Sequence, residues 1–409
     1  MRIFFSVGEP SGDLHGANLI KDLRRRAPEV QAVGFGGPKM AEAGCDLVFD
    51  LTSLAVMGLW NVLINVRKFF AVLAMADQYF AENKVDAVVL IDFPGFNWWI
   101  ARKARKHNVK VFYYGVPQMW AWLPWRVHKL RRLVDHALCK LPFEVPWFEK
   151  RGCQASFVGH PYFDELIRYQ YDEKFISREF AKESTADDEK LLVLLPGSRT
   201  QEVRRNLPWL LESAQHVRLA NPRTRVAIGF FRESHVKFAD DLPKMDQSIE
   251  MYVGRTPELI RSSDACIACS GSVSLELLHH RKPTVIVYRV SLMVMLLQFV
   301  LLRTRFITLV NMLGLKRIEK SAIPVYDPND RRSTVPMPEY LRWRNCSADV
   351  AGWVNDWFAD PMAYGKKVAQ LDELANQFAH SGASERAAEF VIAKLASEHE
   401  KETEHLRAA

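Results

Sequence analysis

One segment constrains the fold more than any other: residues 190–202, KLLVLLPGSRTQE. The apolar run from Leu191 to Leu195 predicts a strand that is buried on both faces, as in a parallel sheet. Pro196 and Gly197 end this strand, and a helical pattern follows. Such a turn gathers free backbone N–H groups at the positive end of a helix, and Arg199 adds a planar cation suited to phosphate oxygens. We predict a seat for a nucleotide diphosphate; an ordinary turn with an exposed arginine is the alternative.

The same alternation of apolar strands and helical patterns runs along most of the chain. Strands are predicted at residues 2–7, 31–35, 86–91, 109–114, 136–140, 155–158, 191–195, 225–230, 249–253, 264–269 and 284–288, and residues 47–51 are another short apolar segment. Residues 316–346 are predicted to be irregular, and the chain beyond them helical. We therefore predict an α/β fold with two parallel sheets. The predicted domains are residues 1–168, a connection 169–189, a second domain 190–346, and C-terminal helices 347–409.

A second small-residue turn follows a predicted strand in the second domain. It reads SGSVSLELL, and Ser270, Gly271 and Ser272 open its helix. Glu276 lies on the second helical turn, where a carboxylate can accept hydrogen bonds from ribose hydroxyls. Two turns suited to binding an anion in one domain favour nucleotide binding. The alternative is that the two turns occur together by coincidence.

Acidic residues follow the strands of the first domain. Asp92 comes directly after DAVVLI, and ligands of open α/β sheets bind outside the carboxyl ends of the strands. We interpret Asp92 as a general base; a helix-capping aspartate is the alternative. The turn GEPSGDLHG carries Glu9, Asp13 and His15. Because it is acidic, we assign it to a sugar or acceptor, not to a phosphate; a plain helix start is the alternative.

Composition narrows the class of protein. The 409 residues are 48% hydrophobic and 25% charged, as in a soluble globular protein, and the net charge of +7 favours anionic partners. Nucleic acid, phosphorylated substrates and anionic membranes all satisfy that charge. The six cysteines include one close pair, Cys266 and Cys269, without a second pair or a histidine cluster, so we expect reduced thiols. We expect neither a signal peptide nor a membrane-spanning segment.

Two apolar segments are candidates for either core helices or membrane contacts. Residues 54–75 show helical spacing of apolar side chains, flanked by Trp60, Arg67 and Lys68. Residues 291–302 are almost entirely apolar, with arginines on both sides, but are too short to span a bilayer. A third cluster, WAWLPWR, places three tryptophans next to basic residues; it suits base stacking, a sugar or acyl site, or a membrane surface.

Eight motifs occur in an order that resembles one enzyme family. They are GEPSGDLHGA, LAVMG, IDFPGFN, WAW, LPFE, VGHP, LLPGSR and SGSVSLE. Two Rossmann-like halves with a nucleotide seat in the second resemble the GT-B architecture, in which two parallel sheets face each other across a cleft. The ordered set of motifs resembles the lipid-A-disaccharide synthases of glycosyltransferase family 19.

The resemblance implies an activity and a location. It implies an inverting glycosyltransferase that joins UDP-2,3-diacylglucosamine to 2,3-diacylglucosamine 1-phosphate, releases UDP and serves lipopolysaccharide synthesis. It implies no metal, no other cofactor and no nucleic acid. It also implies a peripheral protein on the cytoplasmic face of the inner membrane of a Gram-negative-type bacterium, and a homodimer in which the C-terminal helices cross back or are exchanged.

The resemblance also implies roles for individual residues. Asp92 matches the base for the acceptor 6-hydroxyl, with Glu9 and Asp13 beside it. The UDP side comprises Gly197, Ser198, Arg199, Glu202, Ser270, Gly271, Ser272, Glu276 and Asn311. The acceptor side comprises Ser11, His15, Trp120 and Trp122. The membrane contacts comprise Trp60, Arg67, Lys68, Phe69, Phe70, Arg303 and Arg305.

Two other functions compete with this one. A UDP-sugar 2-epimerase shares the GT-B layout but acts on a soluble sugar nucleotide, so it has no need of the amphipathic aromatic segments. A non-enzymatic basic protein that binds a membrane or RNA would account for the net charge and the tryptophan cluster. Such a protein predicts no turnover and, for RNA, a steep salt dependence of binding.

Overall fold

A computed structural model describes residues 1–55, 66–181, 189–240, 246, 248–302, 304–315, 318 and 326–408. The chain divides into two compact units. The first unit consists of Met1–Asp164 together with Ser381–Ala409, so the end of the chain belongs with its beginning. The second unit is Glu165–His380.

Over the described residues, the first unit is built on a seven-stranded sheet in the order β3-β2-β1-β4-β5-β6-β7. All neighbouring strands are parallel. The strands are β1 (Arg2–Val7), β2 (Gln31–Gly36), β3 (Asp46–Asp50), β4 (Ala87–Ile91), β5 (Lys110–Tyr114), β6 (His136–Cys139) and β7 (Ala155–Phe157). The helices are α1 (Pro10–Arg26), α2 (Pro38–Glu42), α3 (Thr52–Ala55), α4 (Val66–Glu82), α5 (Pro94–Lys106), α6 (Val127–Leu133), α7 (Glu144–Glu149) and α8 (Tyr162–Arg168), the last of which runs on into the second unit.

The second unit, over its described residues, has a six-stranded parallel sheet in the order β10-β9-β8-β11-β12-β13. Its strands are β8 (Lys190–Leu195), β9 (Thr224–Phe230), β10 (Glu250–Val253), β11 (Ala265–Ala268), β12 (Thr284–Arg289) and β13 (Glu339–Arg342). Its helices are α9 (Glu173–Phe180), α10 (Thr200–Ala220), α11 (Lys237–Asp240), α12 (Thr256–Ser262), α13 (Val273–His279), α14 (Leu292–Leu301), α15 (Leu309–Leu313), α16 (Ser347–Ala359) and α17 (Pro361–Phe378).

Apolar runs place the central strands in the core. Every residue of β4 is buried, as are Leu191–Leu195 of β8. Each fully buried Val, Leu or Ile side chain stabilises the fold by about 1.5–3 kcal/mol relative to exposure, so such runs favour the middle of a two-sided sheet. The predicted strands and the predicted α/β class are confirmed.

Two details differ from the sequence prediction. The irregular segment predicted at 316–346 contains β13, which pairs with β12 at the edge of the second sheet. The prediction is wrong there because a four-residue strand with charged ends lacks a clear apolar pattern. The C-terminal part of the helix predicted at 54–75 is observed as the beginning of α4 (Val66–Glu82). Residues 56–65 lie outside the described part of the chain.

The last helix, α18 (Ala383–Ala408), packs on α1 in the first unit. The buried carboxylate of Asp164 accepts hydrogen bonds from the backbone N–H groups of Gly382, Ala383 and Ser384, at 2.6, 3.2 and 3.0 Å. It thereby satisfies N–H groups that the first turn of a helix leaves without partners. Arg386 also donates to the carbonyl of Val158. These bonds fix where the helix begins.

Within the ranges given above, no helix combines the length and the apolar character needed to cross a bilayer.

Candidate active site

Asp92 lies at the carboxyl end of β4, where the strand order of the first sheet reverses between β1 and β4. Asp92 and Phe93 both have positive φ angles, +44° and +42°, which are uncommon for residues with side chains. Each such residue costs about 1–3 kcal/mol and persists only where surrounding contacts hold it. Backbone strain of this kind concentrates at functional sites, so it marks Asp92 independently of its position in the sequence.

Three hydrogen-bond donors hold this strained turn. Asn97 Nδ2 donates to the carbonyls of Asp92, Ile91 and Ser6 at 2.8, 3.2 and 3.2 Å, and Ser6 Oγ donates to Asn97 Oδ1. Tyr113 Oη donates to the Asp92 carbonyl at 2.6 Å. Burial, reinforced by the Asp92 charge, holds the pKa of Tyr113 well above its usual value, so the phenol remains a donor.

A glycine at the end of β1 makes room for the turn. A Cβ atom at Gly8 would overlap the ring of Phe93, so the GEPSG and IDFPG motifs fit together at this point. The ring of Phe93 also contacts Phe96, whose centroid lies 6.2 Å away.

The Asp92 carboxylate pairs with a lysine that follows β6. Lys140 Nζ lies 3.0 Å from Asp92 Oδ1, and the two side chains are 17% and 23% exposed. The carboxylate is therefore oriented by a cation and still partly exposed. A base needs these properties to take a proton from a bound hydroxyl.

In the glycine-rich turn GEPSGDLHG, some polar side chains are buried and others are exposed. Asp13 is buried, and its carboxylate accepts hydrogen bonds from the backbone of Gly37, Lys39 and Met40 at 2.8–3.2 Å, so it supports the start of α2. His15 is also buried, whereas Glu9 and Ser11 are exposed. A catalytic role for Glu9 and Asp13, and an acceptor role for Ser11 and His15, stay predictions.

Trp120 connects two of the eight motifs. Its indole Nε1 donates to Glu144 Oε1 at 2.9 Å, and its ring packs edge-on against Phe143. Glu144 is buried, and its other oxygen accepts from the backbone N–H groups of Lys140 and Leu141. Burial raises the pKa of Glu144, and these donors oppose the rise. Trp120 therefore supports the loop that carries Lys140, while Trp122 is half-buried beside it.

The nucleotide seat predicted in the second unit lies where β8 meets α10. Arg199 directly precedes this helix, and its guanidinium is 82% exposed and 3.1 Å from Glu202 Oε1. Glu202 Oε2 accepts from the Arg199 backbone N–H at 3.2 Å. An exposed ion pair of this kind contributes about 0–1 kcal/mol, so the arginine can leave it at little cost to bind an anion. Gly197 is half-buried and Ser198 is exposed in the same turn.

A buried asparagine joins the ends of three strands beside this seat. Asn206 Nδ2 donates to the Pro196 carbonyl and to Cys269 Sγ, at 3.2 and 3.1 Å, and Asn206 Oδ1 accepts from the Arg289 backbone N–H at 2.9 Å. These contacts bring the LLPGSR turn next to the SGSVSLE turn. In the latter, Gly271 and Ser272 are exposed, Ser270 is half-buried and Glu276 is buried.

Asn311 lies in a buried polar cluster of the second unit. Its Nδ2 donates to the Met337 carbonyl and to Glu339, and its Oδ1 accepts from the Met337 backbone N–H. Glu339 also accepts from the backbone of Ile307 and Thr308, and burial raises its pKa to about 7. The Asn311 side chain is committed to this cluster; a UDP contact by Asn311 stays a prediction.

The residues predicted to meet a membrane are divided between surface and core. Arg67, Lys68 and Phe70 are exposed, whereas Phe69 is half-buried with its ring 4.6 Å from that of Phe96. Arg305 is half-buried. Trp60 and Arg303 lie outside the described residues.

Sequence reasoning missed several residues that build these sites. Asn97 lies inside the IDFPGFN motif and Glu144 inside LPFE, but neither was given a role from sequence. Lys140, like Asp92, is a charged residue directly after an apolar strand. That position in the sequence could have identified it as a candidate site residue. Nothing local in the sequence marks Tyr113 or Glu339. Among the described residues, no three His, Cys, Asp or Glu side chains are placed to hold a metal ion.

Comparison with known proteins gives one family. The sequence profile described as lipid-A-disaccharide synthetase matches residues 3–324. Lipid-A-disaccharide synthases from Geobacter sulfurreducens and Myxococcus xanthus are 33% and 32% identical to this chain. In both alignments 96% of this chain and 97% of the relative are covered.

Solved structures share the fold at low identity. A UDP-GlcNAc 2-epimerase from Neisseria meningitidis, bound to UDP-GlcNAc, has a TM-score of 0.62 at 11% identity, covering 96% of this chain and 100% of that one. The kitacinnamycin glycotransferase has a TM-score of 0.60 at 14% identity, covering 96% and 99%. These likenesses support a GT-B fold.

Proposed function

Because the chain belongs to the lipid-A-disaccharide synthetase family, we propose that it joins UDP-2,3-diacylglucosamine to 2,3-diacylglucosamine 1-phosphate. Family membership makes the chain a glycosyltransferase. The proposed products are the β-1,6-linked disaccharide 1-phosphate and UDP, with inversion at the anomeric carbon. UDP-sugar 2-epimerase activity is not favoured, since the epimerase likeness is confined to the fold.

The strained, lysine-paired carboxylate of Asp92 carries the proposal for the chemical step. Asp92 accepts the proton of the acceptor 6-hydroxyl while that oxygen forms its bond to the anomeric carbon. The bond between this carbon and the diphosphate oxygen breaks on the opposite side. General base catalysis of this kind contributes about 10²–10⁴-fold to a rate. Glu9 and Asp13 are proposed to complete the acidic side of the site.

The LLPGSR and SGSVSLE turns are proposed to hold the donor. Arg199 binds the diphosphate, where it stabilises the negative charge that develops on the leaving UDP. The small residues Gly197, Ser198, Ser270, Gly271 and Ser272 let the backbone approach the phosphates. Glu202, Glu276 and Asn311 complete the proposed UDP side, with Glu276 assigned to the ribose hydroxyls. No cofactor is proposed.

Exposed apolar residues support an interfacial location. The first turns of α14 expose Leu292, Met293 and Leu296, with Met293 at 77%, and α4 exposes Phe70 at 57% next to Arg67 and Lys68. Exposed apolar groups beside cations are typical of segments that enter the headgroup layer. We propose that the protein is peripheral on the cytoplasmic face of the inner membrane, from which it draws acylated substrates.

A homodimer is the proposed assembly. α18 docks on the first unit of its own chain through Asp164 and Arg386. The same docking bonds could be made by α18 of a second copy, which would exchange the C-terminal segments. Sedimentation of the purified protein at several concentrations distinguishes one copy from two.

The test of the reaction is direct. The purified protein is mixed with both lipid sugars, and the products are identified by mass spectrometry. We expect UDP and the disaccharide phosphate, and no disaccharide when either lipid sugar is omitted. Release of an epimerised sugar nucleotide, or the absence of any turnover, would reject the proposed reaction.

The test of membrane binding uses vesicles that contain anionic phospholipid. We expect the protein to sediment with them at low salt and to be released by high salt. Met293→Glu and Phe70→Glu should each weaken sedimentation. Leu219→Glu is the matched control, because Leu219 is exposed but stands outside these segments. Full sedimentation of both test variants would exclude the two segments as contacts.

A further inference from the structure

We infer that Lys140 is a positioning residue for the Asp92 carboxylate, an inference that rests on the proposed function. Lys140 lies directly before the LPFE motif and belongs to none of the eight motifs. Its contact with Asp92 joins residues that are 48 positions apart in the chain.

The geometry of three strand ends makes this contact. β4, β5 and β6 are neighbours in the sheet, and Asp92, Gly115 and Lys140 follow them directly. A Cβ atom at Gly115 would lie 3.1 Å from both Asp92 Oδ1 and Lys140 Nζ. The absence of a side chain on the middle strand end therefore lets the lysine reach across it to the aspartate. Gly115 also has a φ angle of +73°, which other residues adopt at a cost.

The lysine is held in place and charged. Its backbone N–H donates to Glu144 Oε2, and Glu144 is in turn held by Trp120. Burial alone would lower the pKa of Lys140, but the carboxylates of Asp92, Glu144 and Glu9 outweigh burial and raise it. Burial and the Lys140 charge keep the pKa of His160 well below its usual value, so this neighbour stays neutral. Lys140 is thus a fixed cation beside the base.

The consequence for catalysis is orientation. The ammonium group binds Asp92 Oδ1 and leaves Oδ2 to accept the hydroxyl proton. A carboxylate that rotated freely would spend less time aligned with the hydroxyl, and small misplacements of reacting groups are costly. The lysine itself transfers no proton in this scheme.

The experiment compares Lys140→Met, Lys140→Arg and Asp92→Asn in steady-state turnover with both lipid sugars. For Lys140→Met we expect kcat to fall about 10- to 100-fold, with KM for each sugar changed less than about threefold. Lys140→Arg should recover most of the loss, because a cation again reaches Oδ1. UDP affinity, measured by calorimetry, should stay unchanged in all three variants.

The outcomes separate this inference from the proposed function. Wild-type kcat in Lys140→Met beside an inactive Asp92→Asn would overturn the role of Lys140 and leave the function intact. A raised KM for the acceptor with unchanged kcat would also overturn it, since the amine would then bind substrate. An active Asp92→Asn would instead remove the base. If Lys140→Met does not fold, Lys140→Gln makes the same test with a polar, uncharged side chain.

Discussion

The two sheets can be compared at the point where the strand order of each reverses. In the first unit this point lies between β1 and β4, and in the second between β8 and β11. A buried asparagine ties strand ends together at both points: Asn97 joins β1 to β4, and Asn206 joins β8 to β11 and β12. Open α/β sheets bind ligands at this place. In both units a buried asparagine stabilises it by hydrogen bonds to neighbouring strand ends.

The two points differ in charge and in backbone. The first presents Asp92 on a strained left-handed turn, paired with a half-buried lysine. The second presents Arg199 on ordinary extended backbone with φ at −98°, and the side chain is largely exposed. In the proposed function, the fold supplies the place and the first side chains after each strand set the chemistry. A carboxylate held by a neighbouring cation suits proton abstraction, and an exposed cation suits the capture and release of an anion.

Asp92→Asn tests the comparison most severely. We expect kcat to fall about 10²–10⁴-fold, because the amide cannot accept the hydroxyl proton, while UDP binding persists. Turnover is measured as UDP release, and binding by calorimetry. Asp86→Asn is the matched control, since Asp86 lies at the opposite end of β4 and accepts a hydrogen bond from the Arg2 backbone N–H. Near-normal rates in Asp92→Asn would remove the catalytic half of the comparison.

Asn97→Ala and Asn206→Ala test whether the two asparagines play equivalent parts. Each buried polar group left without a partner costs about 1–3 kcal/mol, so we expect each variant to lose about 2–4 kcal/mol. Because two units need not unfold together, hydrogen exchange should be followed separately in each. Exchange should rise in the first unit for Asn97→Ala and in the second for Asn206→Ala.

The control for the asparagines is Asn376→Ala on α17, whose amide makes exposed hydrogen bonds with Arg281 and Asp372. We expect its stability to change by less than about 0.5 kcal/mol. If Asn206→Ala behaved like this control, the two switch points would not be built alike.

Arg199→Ala tests the half of the comparison that concerns anion binding in the second unit. We expect UDP affinity to fall by about 1.5–3 kcal/mol, the range for a hydrogen bond to a charged group, with little change in stability. Calorimetry measures the affinity. Arg204→Ala, an exposed arginine further along α10, should bind UDP as the unmodified protein does. Equal affinities for both variants would place the diphosphate elsewhere.

Asp164→Ala should have a smaller effect. It tests how strongly α18, at the end of the chain, is held on the first unit. We expect a loss of about 1–2 kcal/mol, since the start of α18 would lose its capping carboxylate. Faster hydrogen exchange over residues 383–397 is the expected sign. Asp360→Ala is the comparison in the second unit; its exposed carboxylate accepts one bond, from the Met362 N–H at 2.8 Å, so the loss should be smaller. A larger loss for Asp360→Ala would contradict this account of α18.

Much of the fold was predictable because it rests on local patterns. Continuous apolar runs mark strands that are buried on both faces, and the turns after them mark the edge at which ligands bind. β13 was not predictable: its four residues pair with β12 only because the chain returns after a long excursion. The same holds for Glu339, a buried carboxylate on that strand.

The sequence by itself determined two parallel sheets, the strand ends at which we propose that chemistry takes place, and the opposite charges of Asp92 and Arg199. Only the tertiary structure decided what those side chains contact. Lys140 meets Asp92 across a glycine, and Asp164 meets the start of α18, 218 residues further along the chain. Such pairs depend on the packing of whole elements, which places distant residues within hydrogen-bond reach, and no local pattern in the chain encodes them.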